Sequence, residues 1–241
     1  MTYTNVLQVL DLARIPLRSA QRREVDPLIA AGGITALNPE PMRDFFDLFG
    51  FGDGESLFPD IIQTLERARQ EKKHRSAALE LMSQIPGVYV PARHPPVNYG
   101  RFFGPDLPMG HIKKRVVKNL DDYVPEDCMI MPVGNVVFNR LSVEIARGCP
   151  QSCRFCQAKS YYAPYRTRSL ETNTANIHRG LRETGYDSFS LSTLSAGDYP
   201  RLKPLLQLIP RIITPAVSFS LSSMRPSTLS DDLLSTIALY K

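Results

Sequence analysis

The chain has 241 residues, 43% of them hydrophobic, which is the composition of a globular protein with one large domain or two small ones. Its formal net charge of +5 permits a nucleic-acid partner but does not require one, because a solvated surface of mixed charge has the same balance. No stretch is long and apolar enough to span a membrane, and the first residues lack a signal-peptide pattern. Three of the four cysteines are clustered, which excludes a disulfide framework, so we expect a cytoplasmic protein without membrane contact.

The first part of the chain alternates between strand and helix patterns. These patterns predict a helix over 5–12, a strand over 27–31 that ends at Gly32-Gly33, a short helix over 41–46, a strand over 48–52, an amphipathic helix over 57–70, a helix over 77–85 and a strand over 88–91. Asn38 is a suitable N-cap for the short helix, because a proline follows at the first helical position. The alternation predicts parallel strands covered by helices, an α/β fold.

Residues 86–140 are rich in proline, glycine and charge, and we interpret them as a linker with a small β-ribbon. Lys113, Lys114 and Arg115 form a basic stretch within it. Contact with nucleic acid is one interpretation of this stretch, and an ordinary solvated face is the other.

Residues 141–241 repeat a regular strand–helix pattern. We predict strands over 141–146, 188–192 and 215–221, and helices over 172–184, 200–209 and 231–240. Gly185 is expected to end the first of these helices, and Ser227 to cap the last. Ligands bind at the carboxyl ends of parallel strands, where the connecting loops meet, so functional residues are expected there.

Three cysteines follow the first of these strands as Cys149, Cys153 and Cys156, a C-x3-C-x2-C spacing. A loop can turn three thiolates toward one centre, and thiolates are ligands for iron–sulfur clusters or zinc. Structural zinc needs four ligands, usually in two separated pairs, and the sequence has no second pair. Three thiolates on a four-iron cluster leave one iron open, as catalytic metal sites do. Cys128 is either a fourth ligand or a buried strand thiol, and incidental thiols remain an alternative for the whole set.

The C-x3-C-x-Phe-C motif after a strand, residues 149–156, resembles the signature of the radical S-adenosylmethionine proteins. The resemblance implies that Cys149, Cys153 and Cys156 hold a 4Fe-4S cluster whose open iron is chelated by the amino and carboxyl groups of S-adenosylmethionine. One electron then cleaves the cofactor to a 5′-deoxyadenosyl radical, which abstracts hydrogen from a substrate. The resemblance also implies a partial (β/α) barrel and an electron donor such as flavodoxin or ferredoxin.

Further residues are expected to contact the cofactor by the same resemblance and by their position after predicted strands: Phe155, Ser195, Gly197, Asp198, Ser222 and Arg225. The backbone at Phe155 is expected near the adenine. The alternative for the others is ordinary turn chemistry, since serine, glycine and aspartate favour turns. The aromatic and basic segment 161–169 is either a surface loop or a lid, with Arg166 or Arg168 facing a carboxylate or phosphate.

The N-terminal region carries a second resemblance. Gly32-Gly33, the run 38–41 and the segment 50–55 are similar to the C-terminal part of the cobalamin-binding domain of cobalamin-linked radical S-adenosylmethionine proteins. The earlier strands of that domain and its Asp-x-His-x-x-Gly loop are absent from this sequence. We therefore expect cobalamin only in a full-length relative, and we interpret Gly32, Gly33 and Gly54 as backbone turns.

These features predict a Rossmann-like, partial cobalamin-binding-type domain over 1–85, a linker over 86–140 and the first half of a radical S-adenosylmethionine barrel over 141–241. The chain is expected to be a fragment whose third barrel strand forms an exposed edge. The predicted function is reductive cleavage of S-adenosylmethionine by a cluster-binding enzyme, with no residue assigned a direct catalytic role. The alternatives are a truncated, inactive cluster-binding module and a zinc-binding interaction protein. Action on RNA is an analogy at the level of fold.

Overall fold

The structure, a computed structural model, describes residues 3–94, 112–123, 129–134, 136–213, 217–221 and 223–238. The chain divides into two compact units, Met1–Val117 and Lys118–Lys241. Within the described ranges, the helices are too short or too polar to cross a membrane. Both units combine a strand layer with helices, so the predicted α/β class is confirmed.

The first unit contains three helices and three strands among its described residues: α1 Tyr3–Leu12, β1 Ala30–Ala31, β2 Leu48–Gly50, α2 Gly54–Gln70, α3 Arg75–Ser83 and β3 Val88–Tyr89. The strands form one sheet in the order β1-β2-β3. β1 pairs with β2 in parallel, as predicted, whereas β3 pairs with β2 antiparallel. Two helices rather than one separate β2 from β3, so the chain re-enters the sheet from the opposite end.

Two predicted elements of the first unit are shorter than expected. The strand predicted over 27–31 is reduced to Ala30–Ala31, and the helix predicted over 41–46 is a single 3-10 turn, Glu40–Met42. The backbone bonds of the second element run over three residues, from Met42 N to Pro39 O and from Arg43 N to Glu40 O, as in a 3-10 turn.

The carboxylate of Asp47 holds the first unit together. Its side chain has no exposed surface and pairs with Arg22 at 2.8 Å and with Arg75 at 2.7 Å. It also accepts hydrogen bonds from the Ser19 hydroxyl at 2.5 Å and the Ile29 backbone N–H at 2.7 Å. A buried carboxylate with this many donors is fully compensated, so its removal would leave the buried Arg22 guanidinium without its counter-charge.

The structure places the boundary between the units later than the predicted end of the first domain at residue 85. β3 joins the first sheet, and Arg115 forms an isolated bridge with Gly52. Arg115 N donates to Phe51 O at 2.9 Å, and Asp53 N donates to Arg115 O at 3.0 Å. Arg115 also pairs with Asp60 at 2.7 Å, which makes it part of the first unit rather than of a solvated basic face.

The predicted ribbon of the linker falls partly on residues 95–111 and 124–128, which lie outside the described residues.

The second unit is built on three parallel strands: β4 Leu141–Glu144, β7 Ser188–Ser192 and β8 Ser218–Leu221. Their order is β4-β7-β8, with Leu141 opposite Phe189 and Phe189 opposite Phe219. A separate antiparallel ribbon joins β5 Ala146–Arg147 to β6 Arg166–Thr167. The strand predicted over 141–146 therefore divides in two, because Ile145 N bonds to Ser192 O while Ile145 O accepts from Arg168 N.

Four helices complete the described part of the second unit: α4 Ala158–Tyr162, α5 Leu170–Thr184, α6 Leu202–Ile212 and α7 Asp231–Ala238. Gly185 ends α5 with a φ of 70°, as predicted. The predicted cap of α7 is wrong: Ser227 lies in a separate 3-10 turn, and the Ser230 hydroxyl accepts the Leu233 N–H instead. The core between sheet and helices consists of buried apolar side chains, and seven of them are at most 3% exposed: Leu141, Ile145, Ile177, Phe189, Leu191, Leu205 and Ile209.

Tyr89 is a buried phenol whose ionisation opposes folding. Its hydroxyl donates to Glu40 Oε1 at 3.1 Å and accepts from Arg43 at 2.5 Å. Burial, followed by the negative charge of Glu40, raises the pKa of Tyr89 from 10 to about 12. The folded chain thus keeps this proton in a pH range where the unfolded chain loses it.

We expect Asp47→Ala to lower the free energy of unfolding by about 3–5 kcal/mol, because Arg22 would remain buried without its counter-charge. Asp44→Ala is the matched control. It removes a carboxylate three residues away whose pair with Arg18 is about 60% exposed on both sides, so the cost should stay below about 1 kcal/mol. Urea unfolding of both variants measures the difference, and equal losses would contradict the assignment.

Urea unfolding at alkaline pH tests whether the Tyr89 proton stabilises the fold. The stability that depends on its proton is present below pH 10 and is lost as the pH rises toward 12. The urea midpoint of the parent chain should therefore fall more steeply between pH 9 and pH 11 than that of Tyr89→Phe. An identical fall in the two proteins would show that Tyr89 ionises equally in the folded and unfolded states.

Candidate functional site

The cysteine loop, defined here as residues 148–157, follows directly after the ribbon strand β5. Cys149 is half-buried, whereas Cys153 and Cys156 are exposed. A backbone bond from Cys156 N to Cys153 O, 3.1 Å long, closes a turn between the last two cysteines. The loop then enters α4, so both of its ends are anchored by regular structure.

Gly148 sets the direction in which the loop leaves β5. Its φ is +90°, a backbone region that side chains with a Cβ rarely adopt. A Cβ at this position would lie 2.8 Å from Tyr162 O and 3.0 Å from Tyr165 Cα. The start of the cysteine loop is therefore packed directly against the backbone of residues 162–165, and this packing requires glycine.

Three donors converge on the carboxylate of Asp198, in the loop after β7. Ser195 Oγ donates to Oδ2 at 2.7 Å, Arg225 donates to Oδ1 at 3.2 Å, and Gln151 Nε2 donates to Oδ1 at 2.9 Å. The structure thus brings together three of the residues expected to bind the cofactor, Ser195, Asp198 and Arg225. Gln151 was not expected. Its position inside the cysteine motif is the signal that would have identified it.

Tyr165 binds the backbone of the same turn. Its hydroxyl donates to the backbone O of Asp198 at 3.1 Å. Burial, followed by the negative charge of Asp198, raises the pKa of Tyr165 to about 12.

The remaining residues expected to bind the cofactor have different surroundings. A Cβ on Gly197 would lie 2.0 Å from Thr228 Oγ1, so its turn packs closely against the turn at 226–228. The Phe155 side chain is 90% exposed, which leaves a contact through its backbone as the predicted role. Ser222 lies outside the described residues, as does Cys128.

The segment 161–169 is not an ordinary surface loop, because it contains the end of α4 and the strand β6. Arg168 is 6% exposed and donates to the backbone oxygens of Leu120 and Tyr123. Its guanidinium lies 3.5 Å from Glu144, which also receives two bonds of 2.8 Å from Arg147. The carboxylate that faces Arg168 is therefore the chain's own Glu144, and β6 fixes the segment against β5.

Two polar atoms at the ends of neighbouring strands are buried without a hydrogen-bond partner among the described residues. These are Thr193 Oγ1, directly after β7, and Arg225 Nε, after β8. A buried unpaired donor is costly, and such atoms in native proteins often face a missing ligand or water. The rim formed by the carboxyl ends of β7 and β8 therefore offers hydrogen-bonding capacity that none of the described residues uses.

The donor set of the cysteine loop fits a soft metal centre, since three thiols lie within eight residues and two of them are exposed. Across the described ranges, no three histidine, cysteine or acidic side chains are gathered closely enough to hold a metal ion. The described residues therefore identify three thiols as the ligand type and the loop that carries them, and they show no preformed coordination geometry.

The residues of the first unit do not fit cobalamin at the carboxyl end of β2. A Cβ on Gly52 would lie 2.0 Å from Arg115 O and 2.6 Å from Arg115 N. Val117 N also donates to the Asp53 carboxylate at 2.8 Å. The segment 115–117 thus occupies the strand end at which an α/β fold usually places a ligand.

Comparison with known proteins supports the resemblance read from the motifs. Residues 1–91 match the family described as "Radical SAM proteins, N-terminal". An uncharacterized protein of Methanocaldococcus jannaschii is 37% identical over 92 residues, which are 38% of this chain and 20% of that protein. The ribosomal protein uS12 methylthiotransferase RimO of a Sulfurovum species is 34% identical over 102 residues, 40% of this chain and 23% of that protein. The matches thus span about a fifth of the length of these relatives.

A solved structure supports the fold. The radical S-adenosylmethionine methyltransferase TsrM from Kitasatospora setae, determined with cobalamin and a 4Fe-4S cluster bound, aligns with 88% of this chain and 40% of its own chain. The TM-score is 0.54 at 16% sequence identity, so the likeness concerns the fold. The likeness to TsrM therefore shows the fold, and the family match shows that residues 1–91 are similar to the N-terminal region of radical S-adenosylmethionine proteins.

Proposed function

We propose that the chain is a radical S-adenosylmethionine enzyme in which Cys149, Cys153 and Cys156 hold a 4Fe-4S cluster. One observation carries this proposal: the carboxylate of Asp198 joins the cysteine loop, through Gln151, to residues at the carboxyl ends of β7 and β8. In an α/β fold these ends form the ligand-binding rim. The loop with the metal-ligand types and the rim with unpaired polar atoms are thus two sides of one site.

The chain's own residues provide complementary groups for the methionine end of the cofactor, which carries a carboxylate and an ammonium. Arg225 Nε is a buried donor that has no partner in the described part of the chain, and it is suited to a carboxylate oxygen. Asp198 accepts three hydrogen bonds, and a carboxylate has about four lone-pair positions, so capacity remains for an ammonium. When bound, the reduced cluster supplies the electron that breaks a carbon–sulfur bond of the cofactor.

An electron donor must reach the cluster from outside. Two of the three cysteines are exposed, and the basic side chains of Arg154 and Lys159 lie exposed on the same loop and at the start of α4. A small acidic electron carrier of the flavodoxin or ferredoxin type fits this surface by charge. Cobalamin is not part of the proposal, because Arg115 fills the strand end in the first unit.

Cofactor cleavage tests the proposed function. After anaerobic reconstitution with iron and sulfide, the chain should bind about four irons and, with dithionite, convert S-adenosylmethionine to methionine and 5′-deoxyadenosine. Each of Cys149→Ala, Cys153→Ala and Cys156→Ala should lose cluster and cleavage together, whereas Cys128→Ala, the control, should keep both. A cluster without cleavage would leave an inactive cluster-binding module. A colourless protein that retains zinc would contradict the proposal altogether.

Gly148 gives a second test, because the cysteine loop depends on its close packing. Gly148→Ala should load less than half of the parent chain's iron, since the new Cβ would collide with the backbone at 162–165. Gly185→Ala is the control: Gly185 also has a positive φ, but nothing lies within 4 Å of a Cβ there. It should lose about 1 kcal/mol of stability and no iron. Full iron loading in Gly148→Ala would contradict this reading of the loop.

A further inference from the structure

Gln151 occupies the middle of the first cysteine spacing, two residues after Cys149 and two before Cys153. It is half-buried, whereas Ser152, Cys153 and Arg154, which follow it, are exposed. Its amide nitrogen donates to Asp198 at 2.9 Å across 47 positions of sequence. A half-buried polar side chain that is followed by exposed residues and bonded to a distant carboxylate indicates a specific contact rather than a solvated turn.

The acceptor of this bond is held rigidly. The Asp198 side chain is 13% exposed, and Ser195 and Arg225 bind the carboxylate from its own loop and from beyond the next strand. Its backbone oxygen accepts from Tyr165, which belongs to the segment that packs against Gly148. Asp198 is therefore fixed by three parts of the second unit, and Gln151 attaches the cysteine loop to that fixed point.

We propose that Gln151 is a positioning residue, which sets the distance between the cluster ligands and the residues that hold the methionine end of S-adenosylmethionine. This inference rests on the proposed function and deepens it. An amide suits the task because it donates to Asp198 without adding a charge that would compete with Arg225 for the carboxylate. A carboxylate at position 151 would repel Asp198, and an apolar side chain would leave the loop unattached.

The test compares Gln151→Leu, Gln151→Glu and the exchange variant Gln151→Glu/Asp198→Asn with the parent chain. Gln157→Leu is the control, because Gln157 is an exposed glutamine of the same loop whose bond reaches only Tyr161 within α4. The readouts are iron content after reconstitution and the dissociation constant for S-adenosylmethionine, taken from its effect on the electron paramagnetic resonance (EPR) spectrum of the reduced cluster.

We expect the three single variants to load as much iron as the parent. Gln151→Leu and Gln151→Glu should bind S-adenosylmethionine about tenfold more weakly or worse, the effect of losing a hydrogen bond to a charged group. The exchange variant should not recover the affinity, since Asp198→Asn restores the contact with position 151 but removes the carboxylate proposed to hold the ammonium. Unchanged affinity in Gln151→Leu would overturn the proposal, as would equal losses in Gln151→Leu and Gln157→Leu.

A readout on the cluster-free protein separates this inference from the proposed function. Alkylation of the half-buried Cys149 by iodoacetamide should be several-fold faster in Gln151→Leu than in the parent, while the exposed Cys153 and Cys156 react alike in both. Faster alkylation in Gln151→Leu, together with a parent chain that fails to take up iron, would overturn the proposed function and keep the attachment of the loop. Equal alkylation rates would overturn the attachment whatever the parent binds.

Discussion

The hydrogen bonds to the Asp198 carboxylate are the interaction on which the candidate site depends. Parallel pairing of β4, β7 and β8 brings the carboxyl ends of three strands to one rim, yet pairing alone does not place the loops that follow them. The Asp198 carboxylate places two loops and the segment after β8, because Gln151, Ser195 and Arg225 all donate to it. Gly148 completes the arrangement by letting the cysteine loop start against residues 162–165, the segment whose Tyr165 binds the Asp198 backbone.

Each unit contains a carboxylate that accepts hydrogen bonds from several donors. Comparing the two carboxylates distinguishes a residue that stabilises the fold from a residue of the candidate site. Asp47 has no exposed surface and is compensated by Arg22 and Arg75, which is typical of a residue that stabilises a fold. Asp198 keeps 13% of its side chain exposed, and the Arg225 that binds it retains an unpaired buried nitrogen. A buried polar atom without a hydrogen-bond partner lowers the stability of the fold, and proteins keep such atoms chiefly at sites that bind another molecule.

Much of the second unit could be predicted from sequence, because its signals are local and strong. The alternation in 188–192 and the glycine after α5 give the strand and the helix end directly. The antiparallel β3, the split of the first barrel strand and the bridge between Gly52 and Arg115 could not be predicted, since each depends on a distant partner. The same holds for the site. The cysteine spacing identified the metal ligands as candidates, and the position of Gln151 within that spacing marks it for attention, whereas its hydrogen bond to Asp198 depends on a partner 47 positions away.

The central claim is that a cluster on the cysteine loop shares one site with a cofactor held at the strand ends. EPR spectroscopy of the reduced, reconstituted chain with and without S-adenosylmethionine tests it most directly, because the cofactor alters the spectrum only if it reaches the iron that the three cysteines leave open. The account predicts a four-iron signal that shifts when S-adenosylmethionine is added. A four-iron signal that is identical with and without S-adenosylmethionine would contradict it.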